Sequence, residues 1–208
     1  MAGKKKDPPG RLTYTFGDRV YINLTDGCSL KCYFCLKNNG EGPHAEDYDL
    51  HLERQPSAKE IRDALPELAD YREVVFCGFG EPTLRLPTLL ELAEYFQRQK
   101  MPVRLNTDGL ANRIYRRDIT PQFAGRVDRI SVSLNAPDAA TYQRICHPPW
   151  PDAFDYLLDF IRNARTHVSE VTATAIEGLE GVDIEAVRAL AEDELGVPFR
   201  PRQRDQFA

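Results

Sequence analysis

The stretch "DGCSLKCYFC" (residues 26–35) sets Cys28, Cys32 and Cys35 at spacings of four and three residues and supplies no fourth cysteine beside them. Thiolates are the ligands of iron–sulfur clusters and of many zinc sites. Iron–sulfur clusters ordinarily take four cysteines, so a C-x3-C-x2-C loop directed at one cubane leaves an iron with a coordination position for something other than protein. The competing use of such thiols is a zinc site completed by His44, Cys77 or a remote ligand. Zinc ligands usually come as two separated pairs. Neither a second C-x2-C nor paired histidines occur, the four histidines standing at 44, 51, 147 and 167.

Further polar clusters follow later apolar runs. In "CGFGEP" (77–82), Gly78 and Gly80 let backbone approach a ligand closely, Phe79 lies between them, and Glu81 is an acceptor suited to an ammonium. "LNTDG" (105–109) presents Asn106, Thr107 and Asp108, and "SVSLNAPD" (131–138) presents Ser133 and Asn135. Each stretch is equally at home as a turn between a strand and a helix. Cys77 reads as small apolar packing in a buried strand. Cys146-His147-Pro148-Pro149-Trp150 reads as a surface turn with one aromatic anchor, substrate contact or hydrogen donation being the sharper alternative.

The elements that position these residues alternate in period. "RVYINLT" (19–25), "EVVFCG" (73–78), "PVRLNT" (102–107), "VDRISVSLN" (127–135), "EVTATAI" (170–176) and "VPFR" (197–200) read as six strands. Helices are expected at 57–70, opened by the Ser57/Glu60 capping box and weakened by Pro66, and at 87–100, 138–145, 152–168 and 183–195, the last ended by Gly196. Phe154, Leu157, Leu158 and Ile161 form an apolar stripe that reads as core. Strands alternating with helices imply an α/β fold with a parallel sheet, either open and doubly wound or a (βα)6 partial TIM barrel. The clusters all follow strands, at the C-terminal rim where barrel enzymes place their chemistry, which favours the partial barrel.

At 208 residues the chain suffices for one core domain, expected over 13–200, with a disordered arm at 1–12 and a tail at 201–208. Five cysteines, three of them clustered, fit a reducing cytoplasmic compartment and metal or redox chemistry rather than a disulfide framework. No run reaches the roughly 18 apolar residues of a membrane helix. A net charge of −5 gives no general affinity for nucleic acid. The basic stretches "RIYRR" (113–117) and "RPRQR" (200–204) are the two local exceptions, read first as a solvated loop and a frayed tail.

"CSLKCYFC", with Phe34 before the last cysteine, resembles the signature of the radical S-adenosylmethionine (SAM) superfamily. The resemblance implies that Cys28, Cys32 and Cys35 bind a [4Fe-4S] cluster whose open iron takes the amino and carboxylate groups of SAM. It further implies reductive SAM cleavage to a 5′-deoxyadenosyl radical, fed by an external one-electron reductant of flavodoxin or ferredoxin type. "GFGEP" is similar to the family's GGEP motif, with Phe79 in place of its first glycine; "NTDG" is similar to its "TNG" turn. By the same resemblance Ser133 and Asn135 meet the ribose hydroxyls and Arg144 pairs with the SAM carboxylate. The family's G-x-I-x-G-x-x-E pattern is not recognisable in "AIEGLEGVD" (175–183). From residue 11 to about 200 the chain resembles the short TatD-family-associated radical SAM proteins, Gly27 replacing a residue that is often bulkier. That resemblance implies a bare partial barrel and a functional link to a TatD-type metallohydrolase. A small molecule or nucleotide is the expected substrate; RNA or protein modification, including glycyl-radical activation, and a non-catalytic iron–sulfur or zinc module are the alternatives.

Overall fold

The computed structural model describes residues 10–35, 44–45 and 48–203. A hairpin of β1 (Thr13–Phe16) and β2 (Arg19–Ile22) opens the fold, turning at Gly17 with φ +56°. A two-residue antiparallel pair, β3 (His44–Ala45) and β4 (Tyr48–Asp49), follows. Then come α1 (Ala58–Asp63), β5 (Glu73–Phe76), α2 (Leu86–Arg98), β6 (Val103–Thr107), α3 (Ala111–Tyr115) and β7 (Arg129–Ser133). The chain continues through α4 (Ala139–Cys146), α5 (Ala153–Ala164), β8 (Glu170–Ile176), α6 (Ile184–Ala189) and β9 (Phe199–Arg202).

The main sheet runs β1-β2-β5-β6-β7-β8-β9, antiparallel only between β1 and β2. From β2 onward each strand pairs with its successor and the order never reverses. A doubly wound sheet needs a reversal, so the sequential order identifies the α/β fold as the partial-barrel type. β1, which the six-strand expectation lacks, covers the edge of β2.

Local chemistry explains most boundaries. Ser57 and Glu60 form the capping box of α1, whose C-cap is Ala64; Pro66 prevents continuation, and a separate 3-10 turn spans Leu68–Asp70. The single helix expected over 57–70 is therefore two pieces. α4 starts on Asp138, which accepts from Thr141 N, and stops at His147 in the left-handed region before Pro148. α6 passes into a π-helical turn at Leu190–Glu194 before Gly196, at φ +61°.

Strand period decides what each face carries. Val74 and Phe76 of β5, Val103 and Leu105 of β6, and Ile130 and Val132 of β7 join the large core beneath the helices. There they meet Leu89, Leu92 and Phe96 of α2 and Leu157, Phe160 and Ile161 of α5, all fully buried. Burying each such side chain stabilises the fold by about 1.5–3 kcal/mol. The alternate residues, Arg104, Asn106, Ser131, Ser133, Thr174, Arg200 and Arg202, are polar and turn to the opposite, concave face. At the strand starts Glu73, 4% exposed, sits 2.6 Å from Arg19, 3.4 Å from Arg129 and 3.8 Å from Arg104.

β9 ends two residues beyond the expected strand. Arg200 and Arg202 thus belong to the sheet, paired in register with Thr174 and Ile176, rather than to a frayed tail. At the other end Arg11 N donates to Asp49 O at 2.9 Å, and Asn23 N to Leu12 O at 2.9 Å, so the last residues of the expected 1–12 arm are held by the fold. Residues 1–9 and 204–208 of the arm and tail lie outside the described residues, as does the side chain of His44.

Candidate active site

The three-cysteine loop leaves β2 and is strapped down by three distant segments. Lys31 N and Tyr33 N donate to the carbonyls of Cys146 (3.1 Å) and Ile145 (3.1 Å) at the end of α4. Ser29 Oγ donates to Asp108 Oδ2 at 2.8 Å, after β6. Glu81 N donates to Gly27 O at 2.8 Å, from the Gly-Phe-Gly-Glu turn after β5. Cys146, left with a surface-turn reading, is fully buried and supports the loop: its carbonyl accepts from Lys31 N and, at 3.8 Å, from Cys32 Sγ.

Gly78 and Gly80 are required by these contacts. A Cβ on Gly78 would meet Asn23 Oδ1 at 2.1 Å, and one on Gly80 would lie 2.2 Å from Gly27 O and 2.3 Å from Thr25 O. The close approach they permit is to the chain's own cysteine loop. It seats the loop's first residues against the turn.

A cleft of about 250 Å³ opens at the strand ends. Its walls include all three cysteines, Phe34, Gly78, Phe79, Gly80, Glu81, Asn106, Asp108, Ser133 and Asn135, together with Cys77, Arg202 and Gln203. Of the cluster and cofactor residues implied by the family resemblance, Arg144 alone is not in this wall. It lies on the exposed side of α4 and donates to the carbonyls of Glu180 (3.2 Å) and Gly181 (2.9 Å), pinning the loop after β8. A larger groove of about 520 Å³ around Arg11, Leu52 and Arg54 contains none of the strand-end residues.

Glu81 is buried and already surrounded by donors. Oε1 accepts from Thr83 N (2.9 Å), Thr83 Oγ1 (2.7 Å) and Thr107 Oγ1 (2.8 Å), and Oε2 accepts from Asp108 N (2.7 Å). The Asp108 carboxyl shares a further hydrogen bond with the Glu81 carboxylate, whose acceptor positions are thus taken up by the chain's own groups. The carboxylate ties the end of β6 to the turn after β5. Burial and the neighbouring Asp108 carboxylate push its pKa up to about 8 despite these donors. Burial likewise raises Asp108. The pair retains a proton near neutrality.

Burial, reinforced by Asp108, raises the Cys28 thiol, although the residue as a whole is solvent-accessible. For Cys32 the hydrogen bond to Cys146 acts first and burial second, in the same direction. Metal loading must therefore expel these protons. Among the described residues no three His, Cys, Asp or Glu side chains gather tightly enough to hold a single metal ion. A cubane presents its irons at separate corners, so its thiolates need not converge on one point.

Two cleft amides point to a missing ligand. Asn135 sits at φ +60° with Nδ2 3.9 Å from Cys146 Sγ, and its buried Oδ1 lacks a partner; Asn106 Oδ1 is orphaned in the same way. Buried unpaired carbonyls are costly, so these acceptors fit a ligand that donates to them. Three thiols at one side, orphan acceptors on later strands and a glycine turn between them suit a cluster with an adjoining small cofactor.

Sequence reasoning gave Cys77 to packing and left Arg202 and Gln203 in the tail. For Cys77 the available signal was strand period: it follows Val75 by two, on the face opposite Val74 and Phe76. For Arg202 it was the alternation of Phe199 and Pro201 with Arg200 and Arg202.

The family described as "Radical SAM superfamily" matches this chain over residues 22–193. The GTP 3′,8-cyclase of Corynebacterium glutamicum is 27% identical over 168 residues, covering 78% of this chain and 43% of the relative. The tungsten-containing aldehyde ferredoxin oxidoreductase cofactor-modifying protein of Pyrococcus furiosus is 29% identical over 91 residues, 43% of this chain and 23% of the relative. This chain thus spans less than half the length of either relative. Among solved structures, Streptococcus suis SuiB bound to S-adenosylmethionine superposes with a TM-score of 0.64 at 17% identity, covering 93% of this chain and 42% of SuiB.

Proposed function

Because this chain belongs to the radical SAM superfamily, we propose that Cys28, Cys32 and Cys35 hold a [4Fe-4S] cluster in the rim cleft and that SAM binds beside it. The observation that carries this reading is the single cleft shared by the three thiols and the turns after β5, β6 and β7. Bound together and reduced, the two groups would supply a 5′-deoxyadenosyl radical that removes hydrogen from a substrate.

The chain's own residues hold and orient. Backbone groups of Gly78–Gly80 receive the ammonium of SAM, with Glu81 fixing the turn that presents them, while Ser133 and Asn135 meet its hydroxyl groups. Asn106 offers a further acceptor, and Phe34 and Phe79 supply apolar wall that keeps water from the reacting centre. Asp108 acts through Ser29, fixing the cysteine loop. Arg144 is better read as a clamp on the loop after β8 than as a partner of the SAM carboxylate.

The substrate is a small molecule or nucleotide; a relative named as a cyclase of GTP supports the nucleotide class. RNA or protein docking through the basic stretches has less support. Arg113 is bound to Asp152 at 3.0 Å and stacked over Trp150 and Tyr156, while Arg200 and Arg202 belong to the sheet's concave face. A flavodoxin- or ferredoxin-type reductant, a reducing cytoplasmic setting and a link to a TatD-type metallohydrolase complete the proposal, the last on the segments that resemble TatD-associated proteins.

Anaerobic loading with iron and sulfide, then SAM and dithionite, tests it. The wild type is expected to bind about four irons per chain and to form 5′-deoxyadenosine. Cys28→Ala, Cys32→Ala and Cys35→Ala should each lose both. A wild type that takes up only zinc, or a Cys32→Ala chain that still cleaves SAM, would overturn the assignment.

A further inference from the structure

We propose that Arg202 forms an oxyanion-binding subsite in the rim cleft, taking a carboxylate or phosphate group of the substrate. The assignment to substrate rests on the function proposed above; the anion site itself rests on the arrangement of charge at β9.

Arg202 stands in the cleft wall with Cys77, Asn106, Ser133 and Ile176. Its Nε is sealed from solvent and has no hydrogen-bond partner. Beneath it a narrow crevice is lined by Asn106, Ser131, Ser133, Thr174, Arg200 and Arg202, so two guanidinium groups meet one amide and three hydroxyls without an acid. Among the described residues neither Arg200 nor Arg202 has a carboxylate within ion-pair distance. The buried carboxylate of the concave face, Glu73, lies at the strand starts and is shared by Arg19, Arg104 and Arg129. Glu177, beyond β8, accepts from Gln203 Nε2 at 2.8 Å.

Both guanidinium-bearing residues are half-buried, and desolvating a cation without a counter-charge opposes folding; burial lowers the pKa of Arg202 and Arg200 alike. Burial also raises the Cys77 thiol, so that neighbour stays neutral and provides no counter-charge. The missing acceptor is one that arrives with a ligand. A guanidinium fork matches the paired oxygens of a carboxylate or phosphate, and Arg200 and the Ser131 hydroxyl line the same crevice to share them.

The position separates this group from the cofactor's own carboxylate. The crevice beneath Arg202 contains none of the three cysteines, nor Glu81 or Asp108, whereas Asp108 is tied directly to the cysteine loop through Ser29. The amino and carboxylate groups of SAM belong beside the cluster thiols. Arg202 lies on the last strand of the sheet, on the part of the wall where a second molecule would meet the cofactor.

Calorimetric titration with inorganic phosphate, and separately with acetate, in a low-salt zwitterionic buffer tests the subsite on chains with and without the rebuilt cluster. The wild type should bind at least one of the two anions at one site per chain, the preferred anion naming the group. Arg202→Gln should weaken that binding at least tenfold and Arg202→Lys should retain part of it. The exposed control Arg117→Gln should match the wild type. Without added anion, Arg202→Gln should melt no lower than the wild type, and only the wild type should gain melting temperature when the anion is added. Equal affinity in wild type and Arg202→Gln, or no saturable binding of either anion, overturns the proposal. With the cluster in place, saturating S-adenosylhomocysteine should leave anion affinity unchanged. Competition that disappears in Arg202→Gln would give the guanidinium to the cofactor's carboxylate and overturn the substrate assignment. Anion binding through Arg202 in a chain that neither loads iron nor cleaves SAM would uphold the subsite while defeating the radical reading.

Discussion

Glu81 shows how a residue chosen from sequence for one contact takes a different part once its neighbours are known. A Gly-x-Gly-Glu-Pro string marks an acceptor beside a turn, and that much is local. Three donors to Oε1 and one to Oε2 come from residues 83, 107 and 108, two of them a strand away. The same gathering brings Asp108 close and lifts Glu81 from 4.5 to about 8. Its folded pKa lies above the unfolded one, so between those values the folded chain holds a proton that the unfolded chain has released. Stability from this group is therefore present at acid pH and falls as pH rises through the neutral range. Glu81→Gln cannot ionise and should show a flatter melting temperature from about pH 5 to pH 8 than the wild type. It should also melt lower at the acid end, since the amide replaces one acceptor needed by Thr83, Thr107 or Asp108. An unaltered pH slope would place the retained proton on another group.

At the scale of elements, the site depends on how tightly the cysteine loop lies on the turn after β5 and on the end of α4. Gly80→Ala pushes a methyl into the carbonyls of Gly27 and Thr25, both backbone and unable to swing away. It should cost about 1–3 kcal/mol in denaturant unfolding and remove most iron loading. Gly125→Ala is the comparison. Gly125 has φ +69° but nothing within 4 Å of the added Cβ. That change should cost about 1–2 kcal/mol from backbone strain while iron content stays at the wild-type level. Equal iron in the two variants would show that loop seating does not govern the cluster site. The element boundaries themselves were largely legible: α2, α4, α5 and α6 start within about two residues of their apolar period and caps, the usual tolerance of such boundaries. Pro66 was the visible reason for the break after α1. β1 is not legible because a four-residue strand with one buried side chain, Tyr14, carries too short an alternation to stand out.

Across the whole molecule, the concave face separates its charges by height. Glu73 gathers Arg19, Arg104 and Arg129 at the strand starts, and the thiols, amides and Arg202 occupy the rim. Glu73→Gln leaves three guanidinium groups around a neutral side chain and should destabilise the fold by about 3–5 kcal/mol. Adding Arg104→Met should recover part of that loss by removing the most buried of the three cations. A double variant no more stable than the single one would show that Arg104 is compensated elsewhere. Among the described residues no helix is long and apolar enough to cross a membrane.

What the sequence determined alone was the donor set and the order of periods. Thiols at 28, 32 and 35, glycines at 78 and 80, and polar pairs after successive strands are local facts, and period two against period 3.6 is readable wherever an element has one buried face. The tertiary structure decided the rest. Sequential strand pairing, rather than any single strand's composition, selected the partial barrel over the doubly wound sheet. Strand parity turned Cys77 and Arg202 into the cleft, and the reach of one long side chain took Arg144 to the carbonyls of Glu180 and Gly181 instead. These outcomes depend on which segments share one low-dielectric space, and pairings that join strands 25 to 54 residues apart leave no mark in the spacing of neighbours.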